Sequence, residues 1–195
     1  SLGKVKHPVP MLSLDKAYSL EDLLKWAEKS IRTPDEMLLV QPKYDGISAR
    51  FDGRILATRG DGVEGEDISD KLPLIRLKSA SYSGVVDRPV RGEIIVSDDD
   101  FPLIREKIKR KNGESYKNSR NILTGFMALV GATDINQVAH AMERIDAFLT
   151  LVDYNLVSYQ VPYCKFAAEW SELVESIEAL PYPLDGIVVK IADEA

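Results

Sequence analysis

Several charged side chains in this sequence stand at strand ends and in tight turns, places where a side chain can meet a ligand. Lys43 lies in "QPKYDGIS", two residues before the turn-forming pair Asp45-Gly46. Arg59 precedes Gly60-Asp61, Glu93 follows Arg91-Gly92, and Lys190 comes four residues after the Asp185-Gly186 pair. Alternation along "GIVVK" sends Val188 and Lys190 to one face and Ile187 and Val189 to the other. Such a set suits attack by a lysine amine on phosphorus. The attacking amine must be neutral, whereas an ordinary lysine is almost wholly protonated at neutral pH. A second cation nearby makes that proton easier to lose. Lysine and arginine also stabilise charge developing on phosphate oxygens, and Glu93 would hold a ribose hydroxyl or a magnesium ion. Against this stands a plainer reading of residues 41–48. Asp-Gly between two apolar runs is a hairpin signal, with Lys43 a solvated neighbour.

The elements that must position these residues follow from periodicity. "SLEDLLKWAEKS" predicts a helix capped by Ser19. Strands are expected near 37–43, 47–52 and 54–59, the last two joined by a second hairpin pair, Asp52-Gly53. "GDGVEGEDISD" reads as a loop and "VRGEIIVS" as a strand. "DDDFPLIREKIKRKNG" predicts a helix with acids at its start, bases at its end and Gly113 as its stop. Further helices are expected over "SRNILTGFMALVG", "DINQVAHAM" and "AAEWSELVESIEAL", with one or two strands in "DAFLTLVDYNLVSYQVP" and a last strand in "LDGIVVKIA". Hairpins imply antiparallel pairing, so the fold class is α+β, antiparallel sheets flanked by helices.

Bulk properties narrow the function. The 195 residues fit one domain, or one and a small appendage. No apolar run is long enough to span a membrane, and "SLGKVKHPVPML" has no secretory signal pattern. The single cysteine, Cys164, fits a reducing cytoplasm and reads as a packed residue in "VPYCKF". His7 and His140 show no zinc spacing. A net charge of -6 argues against holding nucleic acid by bulk electrostatics. The segment Arg105 to Arg120 is nevertheless basic, and reads either as a solvated helix face or as a patch for phosphates. Gly60, Gly62 and Gly65 spell G-x-G-x-x-G, but the acidic, proline-interrupted "EDISDKLPLI" that follows is a poor helix start for a dinucleotide fold.

Taken in order, "VKHPVPMLSLDKAYSLEDL", "PKYDG", "ATRGDGVEGEDIS", "VRGEIIVSDDDF", "NGESYKNSRN", the Asp153-Tyr154 pair and "LDGIVVK" resemble the adenylation (nucleotidyltransferase) domain of NAD-dependent DNA ligases over nearly the whole chain. The resemblance implies a nucleotidyltransferase (ATP-grasp-like) fold over 1–195, and it implies roles. Lys43 would attack the α-phosphate of NAD and carry AMP as a phosphoramidate. Asp45 and Gly46 would shape the pocket, Ser13 and Leu14 would border the nucleotide, and Arg59 would contact it on the ribose-phosphate side. Glu93 would bind the ribose and Tyr154 would stack on adenine. Val188 would line the site, Lys190 would contact the α-phosphate, and Arg120 would act near the phosphates. Mg2+ would assist, no residue being singled out as its ligand. AMP would then pass to the 5′-phosphate of nicked double-stranded DNA, which is sealed. A monomer without membrane association is expected. In the family an N-terminal subdomain that grips the nicotinamide mononucleotide half precedes this region. An OB-fold, a zinc module and helix-hairpin-helix elements follow it and make most of the DNA contacts.

Three positions depart from the family. Gln41 replaces the usual adenine-reading glutamate, although an amide can still accept from the adenine amino group. Ala128 and Ile177 stand where arginines are usual. These losses leave room for a second reading, a nucleotide- or DNA-binding module that no longer catalyses. A triphosphate-using RNA ligase or capping-type enzyme is a third, disfavoured by "MLSLDKAYS" and "TRGDG".

Overall fold

Residues 2–8, 20–80 and 89–192 are described by the computed structural model; Ser13, Leu14 and the Ser19 cap lie outside them. In chain order the elements are β1 (Lys4–Lys6), α1 (Leu20–Ser30), β2 (Met37–Tyr44), β3 (Ile47–Phe51), β4 (Leu56–Thr58) and β5 (Glu64–Glu66). After a 3-10 helix at Ser69–Leu74 come β6 (Ile75–Lys78), β7 (Val90–Ile95), α2 (Asp100–Lys107), α3 (Ser119–Met127) and α4 (Ala132–Ile145). The chain continues with β8 (Leu149–Asp153), β9 (Tyr159–Pro162), α5 (Tyr163–Glu178) and β10 (Leu184–Ile191). This is an α+β mixture. Its strand pairs are antiparallel except β6 with β8, which run parallel because helices α2, α3 and α4 lie between them in sequence.

The chain divides into two compact units, each assembled from separated segments: Ser1–Leu12, Asp45–Asp153 and Pro181–Pro183 in one, Ser13–Tyr44, Tyr154–Leu180 and Leu184–Ala195 in the other. The second unit holds a three-stranded sheet in the order β10-β2-β9. Alternation along β2 and β10 sorts its two faces. Leu38, Val40, Ile187, Val189 and Ile191 turn to one side and form a core with Leu23 of α1 and Phe166, Leu173 and Ile177 of α5. The first unit holds a five-stranded sheet in the order β4-β3-β7-β8-β6 and a small β1-β5 pair. There Ala49, Leu56, Ile75, Ile94, Leu149 and Leu151 share the apolar side and pack with Ile104 of α2, Ile122 and Phe126 of α3, and Met142 of α4.

Several expectations need correction. Asp45-Gly46 is not a hairpin: β2 pairs with β10 and β9, whereas β3 pairs with β4 and β7. The loop assigned to "GDGVEGEDISD" contains β5, which pairs with β1, and the start of the 3-10 helix; β1, β5 and β6 are too short to register as periodic runs. The helix expected to run to Gly113 stops at Lys107, where Ile108 turns extended and buries its side chain. The bases after it therefore sit in a loop. Cys164 is exposed rather than packed, because α5 begins four residues earlier than expected and turns Phe166 inward instead.

Candidate active site

Register on the three-stranded sheet decides what stands beside Lys43. Residues directly opposite across an antiparallel pair project to the same face. Lys43 faces Gly186, Gln41 faces Val188, and Leu39 faces Lys190. Gln41, Lys43, Val188 and Lys190 therefore share the face opposite the hydrophobic core. The sequence had placed Val188 with Lys190; pairing adds Gln41 and Lys43. Four residues separate the two lysines in register, about 13 Å along the strands at ~3.3 Å per residue. Their long side chains can reach one group from either side.

Lys43 has 18% of its side chain exposed, and its Nζ lies 3.9 Å from Asp185 Oδ2. The pairing shifts between Leu184 and Gly186, so Asp185 is the extra residue of a bulge. That bulge brings a carboxylate to the lysine, a neighbour the sequence did not suggest. Gln41 is buried, and its Nε2 donates to Asn155 Oδ1 at 3.4 Å and Ser158 Oγ at 3.3 Å. Tyr154, just ahead of that turn, is half-buried.

In the five-stranded unit, Asp45 follows β2 directly and accepts a hydrogen bond from the Arg120 guanidinium. Arg120 stands in the first turn of α3, which Asn118 caps by accepting from the Asn121 N–H at 2.8 Å. Gly46 is required by close approach: a Cβ there would lie 2.2 Å from the Ile94 carbonyl oxygen. Glu93 is buried in β7 opposite Ser48 of β3. Arg59 follows β4 and donates its main-chain N–H to Ser48 O at 2.8 Å.

A residue that sequence reasoning passed over fixes Arg59. His7 is buried; its Nδ1 accepts from Arg50 Nε at 3.1 Å and its Nε2 donates to the Arg59 carbonyl at 3.0 Å. Those two bonds select the neutral tautomer protonated on Nε2. A histidine ahead of two prolines gave no hint of this, because its partners are 43 and 52 residues away.

The basic segment also divides by role. Arg105 Nε donates to Tyr116 O at 2.9 Å, and Lys109 Nζ donates to Arg105 O and Ser115 Oγ, both at 3.0 Å. These two cations staple the loop after α2. Arg110 and Lys111 instead line a cavity of about 500 Å³ with Tyr116, Asn121, Thr124 and Ala128. Burial raises the Tyr116 phenol above its ordinary pKa, against the opposing influence of Arg110. Ala128 thus lies on a wall that carries cations. Ile177 differs: it is 0% exposed within an apolar stripe of α5.

Comparison with known proteins identifies the family. Residues 1–195 match the family model of the NAD-dependent DNA ligase adenylation domain. The chain belongs to that family. It is 31% identical to a protein named DNA ligase from Thermotoga neapolitana, over 96% of the chain and 31% of the relative. The DNA ligase of Hydrogenobaculum sp. is 30% identical over 97% of the chain and 32% of the relative. The DNA ligase of Endomicrobium trichonymphae is 28% identical over 98% and 33%. The adenylation domain therefore spans about a third of the length of these relatives. Among its described residues no helix is long and apolar enough to cross a membrane.

Proposed function

We propose that this chain is the lysine-adenylating part of an NAD-dependent DNA ligase, with an ATP-grasp-like nucleotidyltransferase fold. The observation that carries the reading is the shared sheet face of Gln41, Lys43, Val188 and Lys190, opposite the core, in a chain of this family. The Lys43 amine attacks the α-phosphorus of NAD. A P–N bond forms, the P–O bond to nicotinamide mononucleotide breaks, and the nitrogen gives up its proton. Lys190 braces the α-phosphate, and its charge is worth most where water is excluded. Tyr154 offers a flat face to adenine, worth roughly 1–3 kcal/mol. Glu93 takes the ribose hydroxyls and Arg59 the ribose-phosphate side. Asp45 holds Arg120 for the phosphates. AMP then moves to the 5′-phosphate of nicked DNA, and the 3′-hydroxyl attacks that phosphorus and expels AMP.

Among the described residues no three His, Cys, Asp or Glu side chains form a metal cage. Mg2+ commonly rides on substrate phosphates and several waters with few protein ligands, so it would need no protein cage here. It would neutralise charge on the phosphates. Arg110 and Lys111 offer cations beside Ala128 for the DNA backbone; reversing their charge should weaken nick binding and make its salt dependence shallower. The remaining DNA contacts belong to further modules of the ligase, which acts as a cytoplasmic monomer.

Incubation with NAD or ATP labelled in the adenylate separates this reading from a triphosphate-using enzyme. Label should appear on the intact protein from NAD. Label from ATP alone would overturn the choice of cosubstrate, and label from neither would favour a module that has lost catalysis.

A further inference from the structure

Gln41 is 2% exposed, and its Oε1 is buried with no hydrogen-bond partner among the described residues. A side-chain amide carries two donors on nitrogen and an acceptor oxygen. Here the nitrogen is directed at Asn155 Oδ1 and Ser158 Oγ, at 3.4 and 3.3 Å. What remains is a lone acceptor two residues from Lys43, on the same sheet face. Buried acceptors are ordinarily satisfied, so one left open is a site awaiting a donor.

We propose that Asn155 and Ser158 are positioning residues which hold the Gln41 nitrogen and so leave its buried oxygen as the open acceptor, and thereby make the base site select a 6-amino purine over a 6-oxo purine. The inference rests on the adenylation reading and names the device that sets its specificity. A 6-amino group donates to Oε1. A 6-oxo group confronts oxygen with oxygen. Turning the amide over would let its nitrogen donate to the 6-oxo group, but it would aim Oε1 at Asn155 Oδ1, a second acceptor. The Ser158 hydroxyl can donate or accept, so the orientation rests on Asn155 presenting its oxygen, as it does here. A glutamate at position 41 would need no such partners, since both of its oxygens accept.

The test compares NAD with its 6-oxo (hypoxanthine) analogue in the intact protein, reading kcat/KM for AMP attachment. The wild type should prefer NAD by roughly 10²-fold or more, because a site that must pair a buried polar group rejects the analogue that cannot. Replacing Asn155 and Ser158 together by Ala should shrink that preference by about tenfold, with KM for NAD rising more than kcat falls. Asn155→Asp, acceptor only at this position, should keep the preference; it guards against misfolding of the double variant. Equal preference in wild type and double variant would overturn the inference while leaving the adenylation reading standing. Failure of the wild type to accept AMP from NAD would overturn both.

Discussion

Asp45-Gly46 and Asp52-Gly53 are the same dipeptide, seven residues apart, each between apolar runs. Asp52-Gly53 makes the hairpin that local chemistry favours. The Asp52 carboxylate accepts from the Arg54 and Ile55 N–H groups at 2.9 and 2.7 Å, and Gly53 takes a left-handed φ of 95°. Asp45-Gly46 makes none. Its aspartate binds Arg120, its glycine presses on the Ile94 backbone, and the strands on either side join different sheets. What separates the two is which strands are available to pair. β3 finds β4 across a four-residue connection, whereas β2 finds its partners more than a hundred residues later. The turn freed from closing a hairpin is the one beside Lys43.

The contrast can be broken by mutation. Lys43→Ala should cut AMP attachment by at least about 10⁴-fold, the scale on which a lost nucleophile shows, while the protein still folds, losing about 1 kcal/mol from the stem of a side chain only 18% exposed. Adduct mass and thermal unfolding of the same sample check both halves. Gly46→Ala should destabilise by about 3 kcal/mol or more, since its Cβ would meet Ile94 O at 2.2 Å and Ile95 Cγ2 at 2.8 Å. Gly53→Ala should cost only about 1–2 kcal/mol, the penalty of a left-handed backbone. Urea unfolding of the two variants side by side would sharpen the comparison most. Equal losses would contradict it.

Asp52→Ala should cost about 1 kcal/mol near neutrality by removing the turn's acceptor. The main-chain N–H of Ile55, foremost, and that of Arg54 lower the Asp52 pKa in the folded state, and Arg50 adds to this. A depressed folded pKa means that this stabilisation is complete above the unfolded value, near 3.9, and fades as pH falls through the lower folded value. The gap between wild type and Asp52→Ala should therefore narrow below about pH 4. Smallest of all, a double-mutant cycle on Asp45 and Arg120 should give no more than ~1 kcal/mol of stability, because the Arg120 side chain is 63% exposed and that of Asp45 40%. Their coupling in nick sealing should exceed their coupling in folding.

Much of this was legible in the residues. Periodicity located β2, β7, β10 and α5, and alternation paired Val188 with Lys190, because long elements repeat one pattern many times. What escaped depends on distant partners. The bulge that turns Asp185 to Lys43, the His7 link between Arg50 and Arg59, and the Asn155 and Ser158 grip on Gln41 each join residues dozens to more than a hundred positions apart. Charge patterning marked Arg105 and Lys109 as exposed cations but could not show that they also reach the main-chain carbonyls of Tyr116 and Arg105.

Peptide mapping by mass spectrometry of the intact protein after incubation with NAD tests the central claim most directly. The account predicts a single AMP, acid-labile as a phosphoramidate, on the peptide containing Lys43. AMP on any other residue, or an undiminished adduct in Lys43→Ala, would contradict it.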